Sequence, residues 1–565
     1  MACARSVVWS GFVRRRGIDR RLSLTMTLAL AGLLPLAAEP VRAVETLPIL
    51  WQAGGQSAGN DSAGQAARLA VDTEGNIAVV SGPSQALDLA VTSYTPTGAL
   101  RWTNAVSPSI GTFVGDWVAA APNGDFVAVG RNVSGSSGNP IAITLVRFGS
   151  NGALQWRVDL ARTLPSVGRL LVDSGGNTYL AFNSLGDGQD IQLHKYDSLG
   201  VLVWSEVINT GLLSNNIATS LALSEYETEV VLTGDTIGGS EWITALYETS
   251  TGTRKWLVTA PEGIAARDVV LDADRVYVTG LGNVGPNGFL TVVAYDRATG
   301  ARLWRKDKKP ADGTSATGLR MDLAPDGSVV VTGQASRGFL DWYTVAFETT
   351  GTVRWEAIRD GGLNTDEIPA GLLVRPDGTT VVTGRGGPNL PGGYIPGVTA
   401  AYSSAGTLLW EAFSPLATVW VAALPNGDVC ATGGYDAYVA CFRPPSVGWV
   451  GTVPGGDTEG GPPLLIGKNL DGSLSLSWSG TCVLTETDYE VYEGVLGMFS
   501  THVPVVCSTG SVTGTTFTPS VGSAYYLVVA RDDAFEGSYG NDSAGNARPP
   551  GPVQCLPTAA ALGCP

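Results

Sequence analysis

The chain has little charge and few of the side chains that usually carry acid–base or metal chemistry. Only 15% of its 565 residues are charged, against about 25% in an ordinary globular protein. That excludes a charge-rich disordered chain and a coiled coil. Histidine occurs twice, at His194 and His502, and no two of the seven cysteines have C-x-x-C spacing, which speaks against a zinc site. A serine triad needs a suitably placed histidine. His194 stands just before Tyr196 in a segment that recurs along the chain, where a packed structural role is expected. After residue 43 no apolar run is long enough to span a bilayer.

Glycine and proline are plentiful, at 74 and 32 residues, which suits many short strands joined by tight turns. Residues 1–43 read as a signal peptide. Arg14, Arg15, Arg16, Arg20 and Arg21 precede the apolar run Leu22–Ala38, and Val41-Arg42-Ala43 is a small-x-small cleavage site. Loss of its seven basic and two acidic residues would leave 28 against 49, a net charge of −21. Such a field repels phosphate backbones and anionic membranes, so nucleic acid is not an expected partner. Six cysteines remain, an even number in an oxidising compartment, and sequence proximity suggests Cys430–Cys441, Cys482–Cys507 and Cys555–Cys564.

One pattern dominates the mature chain: glycine followed four residues later by tryptophan. It recurs at Gly98–Trp102, Gly152–Trp156, Gly200–Trp204, Gly252–Trp256, Gly300–Trp304, Gly351–Trp355 and Gly406–Trp410, and Trp51 opens the series without its glycine. Successive tryptophans lie 51, 54, 48, 52, 48, 51 and 55 residues apart, so each unit is one supersecondary element of a repeat architecture. Turns such as Ala324-Pro-Asp-Gly327 and Leu424-Pro-Asn-Gly427 mark hairpins. Strands ending in Thr-Gly, in an aromatic and in the tryptophan follow. Four antiparallel strands per repeat of about 50 residues make a propeller blade. Eight modules start near residues 69, 118, 170, 220, 268, 319, 370 and 419. The expected fold is all-β, an eight-bladed propeller over 44–446 with Leu47–Trp51 as the last blade's fourth strand; Val447–Val450 around Trp449 competes for that place.

Ala294-Tyr-Asp-Arg-Ala-Thr-Gly-Ala-Arg-Leu-Trp304 resembles the tryptophan-docking motif of pyrroloquinoline-quinone (PQQ)-like propellers, and the whole repeat resembles the bacterial SBBP-type propeller repeat. The likeness implies the fold and says little about activity. Quinoprotein dehydrogenases of this kind use calcium and often adjacent cysteines, which this chain lacks. After a Gly/Pro-rich linker, 447–463, residues 464–548 resemble a fibronectin type III sandwich through Ser473–Trp478, Asp488–Tyr492 and Ala524–Ala530. Residues 549–565 form a tail.

The repeated tryptophans are expected to pack blade on blade. Trp117, Trp242, Trp342 and Trp420 fall outside that register, where a ligand platform is one role open to them. Asp61, Asp116, Asn216, Asp312 and Asp366 precede the innermost strands and are candidates for a ligand-binding channel mouth; the competing role is to cap turns. No catalytic residue, metal ligand or cofactor-binding residue is assigned. The expected function is exported, non-enzymatic binding or scaffolding of a protein or glycan at the cell envelope or in the extracellular space. The alternative is a PQQ-dependent dehydrogenase-like or sugar-active enzyme, to which calcium or PQQ would belong.

Overall fold

Each glycine–tryptophan repeat folds as a four-stranded antiparallel meander, seen in full in the first: Arg68–Val71, Ile77–Ser81, Leu89–Tyr94 and Leu100–Val106. The computed structural model describes residues 45–54, 68–81, 88–108, 111–133, 140–161, 163–185, 189–210, 215–237, 241–284, 287–361, 365–387, 396–433, 438–444, 464–469, 471–478, 488–498, 501–510, 512–531, 536–537, 539, 548 and 551–556. The signal segment 1–43, the linker 447–463, Trp449, Asp61, Cys482 and Cys564 lie outside them. Among the described residues there is no helix, and hence none long and apolar enough to cross a membrane.

Eight such meanders follow one another among the described residues. Their inner strands are Arg68–Val71, Thr112–Ala120, Thr163–Val172, Asn215–Leu223, Gly263–Leu271, Ser315–Leu323, Ile368–Val374 and Thr418–Ala423. Neighbouring inner strands lie side by side, and the eighth returns against the first, closing a ring. The eighth blade takes its outer strand from the other end of the chain. Ile49–Ala53 pairs antiparallel with Tyr438–Phe442, placing Trp51 opposite Cys441. Just upstream, Glu45–Leu47 runs parallel to Leu408–Ser414 and adds a fifth strand to the seventh blade.

The repeated tryptophans tie each blade to the next. In the turn of the following blade a glycine adopts a left-handed conformation, from Gly98 in the first blade to Gly406 in the seventh, as Gly200 does at φ 82°. A Cβ built on Gly200 would stand 2.7 Å from the Trp156 indole, and one on Gly300 2.8 Å from Trp256. The glycine is thus required twice, by φ and by the ring lying against it. Among the described residues, six of the eight indole N–H groups donate to a carbonyl of the same turn, including Trp156 to Ser198 at 3.0 Å, Trp204 to Thr249 at 2.9 Å and Trp304 to Thr349 at 2.9 Å. Trp51 makes the same pair of contacts with Gly98 and Pro96 of the first blade. Alternating Val, Leu, Ile and Ala of the middle strands fill the spaces between blades.

Beyond the linker two three-stranded antiparallel sheets form. One contains Leu465–Lys468, Leu474–Ser477 and Gly514–Phe517; the other Val503–Val506, Asp488–Val495 and Ala524–Arg531. Leu476 and Trp478 from the first meet Tyr489, Val491 and Ala530 from the second in one core.

Cys430 and Cys441 are directly opposed on adjacent strands and bridged. The pairings Cys482–Cys507 and Cys555–Cys564 need correction, because Cys507 is bonded to Cys555, 48 residues away. The Tyr492 hydroxyl accepts from the Cys555 N–H at 3.1 Å, which draws the C-terminal segment back until the two Cα atoms are 5.5 Å apart, within bridging range.

Candidate functional site: a guanidinium and indole ring in the channel

Four residues before the turn, each inner strand places one residue at the same level of the ring. In chain order these are Arg68, Trp117, Arg169, Ser220, Asp268, Arg320, Gly371 and Trp420. From the second blade to the eighth this residue directly follows a register shift, between Gly115 and Trp117, for example, or Thr418 and Trp420. A bulge there re-aims the side chain that follows it. Unlike the docking glycines and tryptophans, the column does not repeat: three arginines, two tryptophans and one aspartate make it asymmetric.

Trp117 and Trp420 meet edge to face with ring centroids 5.1 Å apart. The Arg68 guanidinium lies 4.8 Å from the Trp117 ring and 5.2 Å from that of Trp420; Arg169 lies 5.4 and 5.6 Å from the same rings, and Arg320 5.7 Å from Trp420. Cation–π attraction of this kind reaches about 2 kcal/mol when desolvated. The cost of crowding is electrostatic. Burial, and then the Arg320 charge, pushes Arg68 down to about 9, and burial also lowers Arg320.

The carboxylates nearby are already engaged. Asp268 accepts from Ser220 Oγ at 2.6 Å, Arg169 Nη1 at 3.2 Å and the Met321 N–H at 3.1 Å. Asp322, raised to about 6 by burial, accepts from the Leu323 and Val374 N–H groups at 2.9 and 2.8 Å. Asp116 is forked by Arg131 at 2.7–2.9 Å, and burial raises it. In contrast, the Nε atoms of Arg68 and Arg320 are buried with no hydrogen-bond partner. Beside the ring lies a cavity of about 270 Å³ with Arg169, Arg320, Asp268, Asp322 and Trp420 in its wall, room for about nine waters.

The four mouth candidates among the described residues have separate partners. Asp116 joins the channel cluster. Asn216 is buried on the fourth inner strand, accepting from Thr210 Oγ1 at 2.8 Å. Asp312 pairs with Arg337 at 2.6 Å, and Asp366 accepts the Leu340 N–H at 3.0 Å. Asp61 lies outside the described residues. His194 stacks edge-on against Phe182 and shares a 2.9 Å hydrogen bond with Tyr196; burial lowers it to about 4, so it is neutral and structural. Sequence reasoning singled out Trp117 and Trp420 as out of register but missed the arginines. Aligning the repeats on their turns and reading down the column would have found them.

A calcium-bound quinone needs oxygen ligands free to converge. Each channel carboxylate is held by an arginine or by backbone amides, and among the described residues no three His, Cys, Asp or Glu side chains form a metal cluster. The residues present do not fit that group.

Neither a protein-family model nor a curated protein sequence matches the chain. Among solved structures it is similar to the Dos1 propeller, at 12% identity over 71% of this chain and 96% of that one, with a TM-score of 0.47. It is also similar to the quinohemoprotein alcohol dehydrogenase ADHIIG of Pseudomonas putida HK5, at 12% identity, 71% and 76% coverage and TM-score 0.45. A third is Chaetomium thermophilum Sqt1 bound to the N-terminus of ribosomal protein L10, at 13% identity, 67% and 97% coverage and TM-score 0.44.

Proposed function

We propose that the chain is an exported, non-enzymatic binding protein whose propeller captures a protein of the cell envelope or extracellular space on the outer edge of its third blade. The observation that carries this reading is an apolar edge strand in an acidic chain. Leu199, Val201, Leu202, Val203 and Val207 are all exposed on and beside the outer strand Leu202–Ile208. Other blades expose fewer: Leu100 alone on the first blade's outer strand, Leu303 alone on the fifth's. Among the described residues no strand covers the free edge of Leu202–Ile208. Exposed apolar edges are pairing templates that monomeric proteins normally blunt.

The chain itself supplies a precedent for the occupant, since Glu45–Leu47 adds in parallel to the equivalent strand of the seventh blade and buries Leu47 there. An extended peptide recognised by strand addition fits the third blade in the same way; a glycan would leave this apolar surface unpaired. Export through the 1–43 segment, with cleavage near Ala43, is supported by the disulfides Cys430–Cys441 and Cys507–Cys555, which persist in oxidising compartments. The C-terminal sheets would serve as a fibronectin-like spacer after the 447–463 linker.

The test is retention of envelope proteins by immobilised residues 44–565 and by the double variant Val201→Lys/Val203→Lys. Both proteins are expected to melt at the same temperature, with one defined protein retained only by the unsubstituted chain. Equal retention by both, or by neither, contradicts the reading.

A further inference from the structure

We infer that the channel cavity is a binding site for a small organic carboxylate, its head held by Arg169 and Arg320 beside Trp420 and its apolar body lying against Leu171, Val270 and Leu372. The inference is independent of the partner surface on the third blade.

A guanidinium carries five N–H donors and no acceptor, so three of them around one ring bring about fifteen. Among the described residues Arg320 places one hydrogen bond, from Nη1 to the Leu319 carbonyl at 2.9 Å. Arg169 uses Nη1 on Ser220 and Asp268, and among the described residues the buried Arg68 Nε has no hydrogen-bond partner. The carboxylates of the cavity are already engaged, since each oxygen of Asp268 and of Asp322 receives a protein donor. A ligand entering the cavity therefore meets the unspent donors of Arg320, whose Nε is buried without a partner, and a planar carboxylate matches a guanidinium edge in two parallel hydrogen bonds. Inorganic oxyanions share that head chemistry. The remaining wall distinguishes them: Leu171, Val270, Met321 and Leu372 are apolar and would face a bare phosphate without pairing it, whereas a hydrocarbon body gains by displacing water from them.

The test is titration calorimetry of residues 44–565 at constant ionic strength with hexanoate, benzoate, hexanamide and inorganic phosphate as separate probes. Saturable binding of hexanoate or benzoate is expected. Hexanamide, which has the same body without the charge, and phosphate, which has charge without the body, are expected to bind at least about tenfold more weakly. Arg320→Met is expected to weaken carboxylate binding by about tenfold or more. Ala222→Leu fills the cavity without touching a guanidinium and keeps the question open to test should the arginine variant fail to fold; it is expected to fold and to lose binding. Three results would overturn the inference: no carboxylate binding, equal binding of hexanamide or phosphate, or binding unchanged in a folded variant.

Discussion

Gly200 has no tolerable replacement, because its φ of 82° and the Trp156 ring 2.7 Å from any added Cβ each forbid one. Gly200→Ala is expected to destabilise the propeller by about 2–3 kcal/mol, combining left-handed backbone strain with indole displacement, read as a lowered denaturation midpoint. The glycine and the tryptophan were each legible in the sequence, since glycine stands four residues before tryptophan seven times, but the partner of Gly200 is the preceding blade's Trp156 and not Trp204. The channel arginines were not legible, since nothing repeats in their column and an arginine in a strand looks like a solvated one. Glu490 supplies a second residue-scale test. It is fully buried in the C-terminal sheets, and burial first, then its hydrogen bond with Glu536, raises it to about 8. A carboxyl raised in the folded state contributes stability in full below its unfolded value near 4.5, and loses it as pH climbs toward the folded value. The C-terminal unit is therefore expected to melt at a lower temperature at pH 9 than at pH 5. Glu490→Gln is expected to flatten that dependence; a melt equally pH-dependent in the variant would count against the assignment.

Strands and turns were the most legible elements, because Pro-Asp-Gly and Pro-Asn-Gly preset a hairpin whatever surrounds them. Disulfide partners were legible only where two cysteines share a hairpin, as Cys430 and Cys441 do. Cys507 and Cys555 meet through a tertiary contact, Tyr492 holding the returning segment, and no local spacing encodes that. With four cysteines paired, Cys482 and Cys564 are expected to form the third bridge. A non-reducing peptide map should show a Cys482–Cys564 linked pair and no Cys482–Cys507 peptide. The bulge before the channel residue of the second to eighth blades is likewise an element-scale feature, invisible in the alternation of any single strand because it breaks it.

At the scale of the whole molecule, the ring is closed by the strand Ile49–Ala53 from the other end of the chain. Trp51 docks on Gly98 and donates to Pro96, while its strand covers Tyr438–Phe442, which is buried throughout. Deleting residues 44–53 is expected to leave the eighth blade with an open edge, lower the melting temperature and make the chain protease-sensitive within 418–442. An unchanged digestion pattern would show that closure does not depend on that strand. Among the described residues the outer edge of the seventh blade is covered by Glu45–Leu47, whereas that of the third is uncovered and apolar.

Val203 and Leu303 occupy equivalent positions on the third and fifth blades and are equally exposed, at 49% each. A photoreactive side chain placed at either one in the producing cell, followed by mass spectrometry of cross-linked products, tests partner capture directly. A defined protein adduct at 203 and none at 303 is the expected result. Adducts at both positions, or at neither, would contradict the account.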